Sequence, residues 1–289
     1  MNIRFFMRHP GWICLDIDGT ITADPFSIPD TVVKYFTSLY TLGWRFCFIT
    51  GRTLSFACKV LDKITFPFYI SVQNGADILQ MPEKKLIRQS YLSSDVLAHL
   101  DVIYKDLPED YIVYSGWERG DYCYYRPSRS SAQMNTYFSF LMTLSGTPWV
   151  ALDDFSSLAR ETFSLIKCLG SLQMMKYVET KLKEIDGIHV TMIKDPTSPC
   201  EGYIILITDK SASKGNAMAF LKSSEKNAHL YIAAGDDMND ISLLKEADIA
   251  IAMGDAPESL QKIAHIIAKP ATELGIIDAL NTAIHNRNK

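Results

Sequence analysis

The sequence predicts an α/β fold in which a doubly wound parallel sheet carries an inserted α+β domain. Near both ends of the chain, short apolar runs alternate with segments of helical periodicity, an order typical of parallel sheets. Between them, residues 81–210 open with a helical pattern and continue with pairs of strand-like runs, which indicate an antiparallel sheet. We therefore expect a core formed by residues 1–80 and 211–289, and a cap domain, or lid, formed by residues 81–210.

The core strands are predicted from apolar runs of four to seven residues, a length that suits strands buried on both faces. The first of these runs is followed by a turn-rich segment and then by apolar residues at helical spacing, ending at Gly43. The same order is repeated after the second run and again near the C-terminus. The predicted core strands are residues 12–16, 44–50, 68–72, 230–234 and 249–252.

The insert has a different pattern, with helices and strands that do not alternate regularly. Helical spacing predicts helices near residues 96–104 and 174–182. A turn at Gly120-Asp121 would join two of the strand-like runs into a hairpin. The predicted strands of the insert are residues 111–117, 122–126, 163–169, 188–193 and 203–208.

Composition excludes several classes of function. The chain has 289 residues, 47% of them hydrophobic, and a formal net charge of −4. It contains no lysine- or arginine-rich run, so we expect neither nucleic acid nor acidic lipid as a partner. No apolar stretch approaches the ~20 residues of a membrane span, and residues 1–10 lack the features of a signal peptide. The six cysteines are scattered without a C-x-x-C pair, which favours reduced thiols in a cytoplasmic protein.

Polar residues follow the predicted core strands where open α/β sheets bind ligands, beyond the carboxyl ends. Asp16 and Asp18 follow the first strand, Thr50 follows the second, and Asp236 follows a strand near the C-terminus. Two carboxylates ~4 Å apart repel each other by about 4 kcal/mol at an effective dielectric constant near 20, so such a cluster needs a counter-charge. Carboxylate oxygens are hard ligands that suit Mg²⁺. The sequence therefore predicts a magnesium site at this edge of the sheet.

These strand ends form four short motifs along the chain. They are Asp16-x-Asp18-Gly19-Thr20, Ile49-Thr50-Gly51-Arg52, Ser213-Lys214-Gly215 and Gly235-Asp236-Asp237-Met238-Asn239-Asp240. Their order and spacing resemble those of the haloacid dehalogenase-like (HAD) phosphatases, and the insert between the second and third motifs resembles the cap of the Cof-type, or IIB, subfamily. The motifs lie in the first 80 and last 80 residues, whereas the insert matches in size and position more than in sequence.

The resemblance implies a role for each matched residue in a phosphatase reaction. Asp16 would attack phosphorus and form an aspartyl-phosphate, while Asp18 would serve as general acid and then as general base. Thr50, with the amide of Gly51, would bind a phosphoryl oxygen, and Lys214 would supply positive charge. The implied Mg²⁺ ligands are Asp16, the main-chain carbonyl of Asp18 and Asp236, with Asn239 and Asp240 holding its waters or Lys214.

For several residues the sequence leaves two interpretations open. Arg52 would contact substrate or form a structural ion pair, and Asn74 would position substrate or hold a turn through hydrogen bonds. In the insert, Arg119, Arg126 or a tyrosine of the aromatic stretch at residues 117–126 would select the substrate, or the stretch would form lid core.

The expected activity is Mg²⁺-dependent hydrolysis of a small phosphorylated metabolite, such as a sugar phosphate, a nucleotide or a phosphorylated cofactor. One alternative is a phosphotransferase or phosphomutase similar to the related phosphomannomutases, which would need basic residues in the lid for a second phosphate. A second is a non-enzymatic phospho-switch similar to receiver domains, which lack a counterpart of Asp18. The basic lid residues that would serve the first alternative are Lys167, Arg119, Arg126 and Arg129.

Overall fold

A computed structural model describes residues 10–195, 202–224 and 229–286. Its larger sheet has eight strands in the order β16-β15-β14-β1-β2-β3-β4-β5. The strands from β16 to β3 run parallel, and β4 and β5 are antiparallel additions at one edge. The strands are β1 (Trp12–Leu15), β2 (Arg45–Ile49), β3 (Phe68–Val72), β4 (Asp77–Met81), β5 (Lys85–Gln89), β14 (Tyr231–Gly235), β15 (Ile249–Ala252) and β16 (Ile266–Ile267).

The central strand β1 is buried along its whole length, because helices cover both faces of the sheet. Val32 and Phe36 of one helix pack on one face, and Met218 and Leu243 of two others pack on the opposite face. This arrangement confirms the predicted doubly wound α/β fold. The core helices are α1 (Asp30–Thr41), α2 (Leu54–Val60), α6 (Lys214–Ser224), α7 (Ile241–Glu246), α8 (Glu258–Gln261) and α9 (Gly275–Asn286).

The lid contains a second sheet of six strands in the order β12-β13-β11-β7-β8-β9, with the short pair β6 and β10 beside it. Its central strands pair antiparallel, as predicted, whereas β8 and β9 run parallel. The strands are β6 (Leu92–Ser93), β7 (Tyr111–Tyr114), β8 (Cys123–Tyr125), β9 (Trp149–Ala151), β10 (Thr162–Phe163), β11 (Leu165–Gly170), β12 (Ile188–Lys194) and β13 (Tyr203–Asp209), and the helices are α3 (Asp95–Ile103), α4 (Ala132–Ser145) and α5 (Leu172–Leu182).

The larger sheet extends beyond the predicted boundary at residue 80. Strands β4 and β5 form a hairpin on the edge of β3, with Ile70 opposite Leu79 and Ile78 opposite Arg88. Residues 81–89 fall within the predicted insert, but they belong to the larger sheet because β4 pairs with β3 and β5 pairs with β4. Antiparallel pairing in this sheet begins at Asp77, the first residue of β4, ahead of the predicted boundary.

Helix α4 is not among the predicted elements. Its sequence is rich in Ser, Thr, Gln and Asn, and only Phe138 and Leu144 are fully buried, so it shows little helical periodicity. The helix is nevertheless well delimited: the Ser131 side chain accepts a hydrogen bond from the Met134 amide at its N-terminus, and Gly146 ends it in the left-handed region.

The five cysteines among the described residues are free, and Cys200 and the first nine residues lie outside the described ranges. None of the described helices combines the length and the hydropathy required to cross a bilayer.

Candidate active site

The carboxyl ends of β1 and β14 bring together the acidic residues predicted from the sequence. Asp16 directly follows β1, and its amide donates to the carbonyl of Ala234 in the neighbouring strand. Lys214, the first residue of α6, reaches between two carboxylates: its Nζ lies 2.5 Å from Asp16 Oδ1 and 2.6 Å from Asp240 Oδ1. The lysine is 2% exposed, so both ion pairs are shielded from bulk water.

Asp240 has a second role, because its other oxygen shapes the loop after β14. Asp240 Oδ2 accepts hydrogen bonds from the amides of Asp236 and Asp237 at 3.0 and 3.1 Å. Both oxygens of Asp240 are therefore engaged by protein groups, one by Lys214 and the other by the backbone. This geometry favours the positioning role for Asp240, in which it holds Lys214.

Asp236 is held by the segment that follows β1. Thr20 Oγ1 donates to Asp236 Oδ1 over 3.0 Å. Gly19 has a φ of +69°, and a Cβ at that position would lie 2.1 Å from Asp236 Oδ2. Only glycine therefore allows the backbone after Asp18 to approach Asp236 this closely. Glycine is thus required at position 19 both for the positive φ and for the close approach to Asp236.

The acidic cluster has the composition of a magnesium site. One carboxylate oxygen from each of Asp16, Asp236 and Asp240 lies within 4.8 Å of the others. Asp16 and Asp236 offer hard oxygen ligands, which Mg²⁺ prefers, whereas both oxygens of Asp240 are engaged by Lys214 and the backbone. The main-chain carbonyl of Asp18 and the Asn239 side chain remain predicted members of the set. Asn239 Nδ2 donates to Asn74 Oδ1 at 3.2 Å, so the side-chain oxygen of Asn239 takes no part in that hydrogen bond.

The electrostatics of the cluster also require a further positive charge. Burial raises the pKa of Asp16 to about 7, although Lys214 opposes the change. Burial, together with the charges of Asp16 and Asp240, raises the pKa of Asp236 to about 10. Burial alone lowers the pKa of Lys214, but the two carboxylates raise it well above its ordinary value. One lysine therefore does not balance three acids, two of them buried, and a divalent cation would complete the site.

Asp18 lies at the mouth of the cluster and pairs with Arg52. Arg52 Nε donates to Asp18 Oδ2 at 2.7 Å, and Nη2 donates to Oδ1. The guanidinium also donates to the carbonyl of Pro25 at 2.9 Å and lies over the Phe56 ring. Of the two interpretations of Arg52, this geometry favours the ion pair.

Thr50 and Gly51 lie at the end of β2 beside the cluster. The Thr50 amide donates to the carbonyl of Ser71, and its hydroxyl accepts from the Arg52 amide at 3.1 Å. Asn74 lies behind Gly51: its amide donates to the Thr50 carbonyl, and its φ is +56°. Asn74 therefore holds the turn that carries Thr50, which is the second of its two interpretations.

A cavity of about 340 Å³ separates the acidic cluster from the lid. Its core side includes Asp16, Asp18, Thr50 and Lys214. Its lid side is mostly apolar, with one lysine and one aspartate among the described lining residues. The lid side is formed by Tyr114, Leu141, Leu144, Ser145, Thr147, Trp149, Leu165, Lys167, Ile193, Asp195, Ile204 and Leu206.

The lid arginines considered for substrate selection or for a second phosphate do not line this cavity in the described part of the chain. Arg126 is 2% exposed and pairs with Asp110 through two hydrogen bonds of 2.7 and 2.8 Å. Arg119 pairs with Glu161, and Arg129 donates to the carbonyl of Tyr104. The aromatic stretch is thus lid structure. Trp149 and Leu144 were not predicted at the cavity, because they lie in elements outside that stretch.

Known proteins support the family resemblance. A phosphoglycolate phosphatase of Sulfurisphaera tokodaii is 33% identical over 81 residues, 28% of this chain and 36% of that protein. A phosphoglycolate phosphatase of Methanobrevibacter smithii is 30% identical over 80 residues, 27% of this chain and 34% of that protein. The chain therefore spans about a third of the length of these curated relatives.

Solved structures resemble the whole chain. A haloacid dehalogenase-like hydrolase from Bacteroides thetaiotaomicron superposes with a TM-score of 0.76 at 20% identity, covering 94% of this chain and 99% of that one. A haloacid dehalogenase-like hydrolase from B. subtilis gives 0.75 at 18% identity, with coverages of 92% and 97%. A sugar phosphatase of HAD subclass IIB gives 0.75 at 18% identity, with coverages of 95% and 99%.

These structural likenesses show that core and lid together share the fold of these solved hydrolases. The sequence profile of the haloacid dehalogenase-like hydrolases matches residues 13–280, which include all four motifs and the lid. The chain therefore belongs to the haloacid dehalogenase-like hydrolase family.

Proposed function

We propose that the protein is a Mg²⁺-dependent phosphatase that hydrolyses a small phosphate monoester through an aspartyl-phosphate at Asp16. The observation that carries this proposal is the position of the Asp16 carboxylate. It is buried at the floor of a cavity, 2.5 Å from the Lys214 ammonium, with a second carboxylate, Asp18, on the same cavity wall. A nucleophile and a separate acid–base group are the two parts that a double displacement needs.

In the first step, an Asp16 oxygen forms a bond to phosphorus as the bond from phosphorus to the ester oxygen breaks. The leaving oxygen takes a proton from Asp18, so an alcohol departs and the phosphoryl group stays on Asp16. In the second step, Asp18 takes a proton from a water molecule whose oxygen attacks the same phosphorus. The bond from phosphorus to the Asp16 oxygen breaks, inorganic phosphate leaves, and Asp16 is again a free carboxylate while Asp18 is again protonated.

Charge on the phosphoryl oxygens would be stabilised by groups that the fold already positions. The Thr50 hydroxyl and the Gly51 amide lie at the end of β2, and Lys214 is fixed by Asp16 and Asp240. Such preorganised donors stabilise the transferring group without rearranging during the reaction. Magnesium, when bound by Asp16 and Asp236, would reduce the repulsion between the anionic nucleophile and the anionic phosphate.

The two alternatives receive less support from the site. A mutase must bind a second phosphate in the lid, but Lys167 is the one basic residue on the lid side of the cavity in the described ranges. A long-lived phospho-switch would not benefit from a general base, and Asp18 faces the same cavity as Asp16. The phosphoglycolate phosphatases named above support ester hydrolysis as the reaction.

The five free cysteines of the described residues fit the expected reducing compartment.

The test is release of phosphate from p-nitrophenyl phosphate with and without Mg²⁺. We expect activity only with the metal and a loss of more than about 10³-fold in Asp16→Asn. Asp237→Asn is the matched control, because Asp237 lies in the same loop as Asp236 but outside the carboxylate cluster. We expect Asp18→Asn to release p-nitrophenol in a burst of one equivalent and then slowly, because water attack lacks its base. Full activity of Asp16→Asn would refute the proposed nucleophile.

A further inference from the structure

The face of the lid sheet that looks toward the active site has an unusual composition. Successive side chains in a strand point to opposite faces, so Leu165, Lys167 and Leu169 of β11 share one face. Ile166 and Cys168 point to the other face, where α3 and α5 cover them. Lys167 lies opposite Ile112 in β7 and Leu206 in β13. Lys167 therefore stands between two apolar residues of the neighbouring strands.

Helix α4 covers only part of this face, and the cavity takes up the rest. Tyr114, Leu206 and Trp149 from three strands line the cavity, and Leu144 of α4 extends the same surface. An uncovered sheet face normally presents polar residues to water. An apolar wall opposite a polar phosphate site is instead suited to the apolar part of a ligand.

Lys167 lacks a direct ionic partner in the described part of the chain. It makes no ion pair or hydrogen bond with any of residues 10–195, 202–224 and 229–286, and its Nζ lies 5.7 Å from the centroid of the Tyr114 ring. Burial lowers its pKa, an effect that the charge of Asp195 opposes. Asp195 itself accepts a hydrogen bond from the Tyr137 hydroxyl at 2.7 Å. An ammonium group in an apolar cavity wall loses part of its hydration. A bound anion that accepts its hydrogen bonds would therefore stabilise it.

We propose that the substrate is a phosphate monoester whose leaving group is small and mainly apolar and carries one anionic substituent, which Lys167 binds. This proposal rests on the phosphatase function proposed above and specifies its substrate class. A cavity of about 340 Å³ is near the lower end of the ~300–1,000 Å³ typical of ligand sites, which suits a single ring or a short chain beside the phosphate. The polyol groups of a sugar would meet mainly leucine, isoleucine and aromatic side chains on the lid side, where Ser145, Thr147, Lys167 and Asp195 are the polar exceptions.

The test compares three esters that all release a primary alcohol, so that their intrinsic reactivities are similar. They are 4-carboxybenzyl phosphate, 4-methylbenzyl phosphate and glycerol 1-phosphate. We expect kcat/KM to be at least tenfold higher for 4-carboxybenzyl phosphate than for glycerol 1-phosphate. In Lys167→Met and Lys167→Gln, the ratio of kcat/KM for the carboxylated and methylated benzyl esters should fall by about 10-fold or more. This ratio is measured within one variant, so a partial loss of folded protein does not alter it.

Lys176→Met is the matched control, since Lys176 is an exposed lysine of α5 on the other side of the lid sheet. It should leave the ratio unchanged. Equal or faster hydrolysis of glycerol 1-phosphate, or an unchanged ratio in both Lys167 variants, would overturn the assigned substrate class while leaving the phosphatase function intact. Absence of all hydrolysis, including that of p-nitrophenyl phosphate with Mg²⁺, would instead refute the phosphatase function itself.

Discussion

Arg52 holds Asp18 through both oxygens of the carboxylate, with Nε 2.7 Å from Oδ2. The arginine side chain is 5% exposed, whereas that of Asp18 is 50% exposed, so the buried partner fixes the accessible one. Its contacts with the Pro25 carbonyl and the Phe56 ring leave the guanidinium little freedom. Arg52 is therefore a positioning residue for the proposed acid–base group.

Replacing Arg52 with glutamine removes a charge that favours ionised Asp18 but also leaves Asp18 less firmly positioned. We expect the loss of position to dominate, so that esters that need protonation are impaired more than esters that do not. An alkoxide leaves poorly without a proton, whereas p-nitrophenolate is a weak base and leaves readily. In Arg52→Gln we expect kcat/KM for an alkyl phosphate to fall about 10-fold more than that for p-nitrophenyl phosphate. Arg45→Gln is the control, since Arg45 is exposed at the opposite end of β2. An equal loss for both esters would show that Arg52 acts only through substrate binding or folding.

Magnesium binding should depend on Asp236 and be insensitive to Asp237. A ligand that binds only the folded state at 100 times its dissociation constant stabilises that state by about 2.7 kcal/mol. Saturating Mg²⁺ should therefore raise the Tm by roughly 5 °C or more in the wild type and in Asp237→Asn, but hardly in Asp236→Asn. Thermal unfolding with and without the ion measures this directly. A full shift in Asp236→Asn would remove this residue from the metal site.

The parts of this molecule that sequence predicts well are those set by local patterns. An apolar run that ends in a polar residue identified the end of β1 and therefore the position of Asp16. The pairing of Arg52 with Asp18 remained open because an arginine's partner depends on side-chain geometry. The position of Lys167 opposite Leu206 also escaped prediction, since it depends on strand pairing between distant segments. Helix α4 escaped because its stability comes from packing of a few residues rather than from a clear periodicity.

The lid contacts the core through a hydrogen bond between two threonine hydroxyls. Thr53 Oγ1 and Thr147 Oγ1 lie 2.7 Å apart, and Thr53 also caps the N-terminus of α2. Thr147→Val removes one hydroxyl at nearly constant volume and should weaken the closed arrangement by about 1 kcal/mol. We expect KM to rise severalfold and amide hydrogen exchange to increase at residues 53–60. Thr136→Val serves as control, because Thr136 is exposed and bonds only within α4; a similar effect there would contradict the assigned contact.

Asp77 should make the stability of the protein fall as the pH rises above 4. Its Oδ2 accepts hydrogen bonds from the Tyr91 hydroxyl and the Trp117 amide, yet burial raises its pKa from 3.8 to about 6. The folded state then binds a proton at Asp77 more tightly than the unfolded state does. The resulting contribution to the free energy of unfolding is fully present below pH 3.8 and is lost as the pH rises through 6. Asp77→Asn carries no charge at either pH. Between pH 4.5 and 7, the free energy of unfolding of the wild type should therefore decrease by about 2 kcal/mol relative to that of Asp77→Asn.

Urea titrations at the two pH values measure this difference, and Asp255→Asn, which removes an exposed carboxylate, should not reproduce it. A gap between wild type and Asp77→Asn that is the same at both pH values would show that Asp77 is ionised throughout this range.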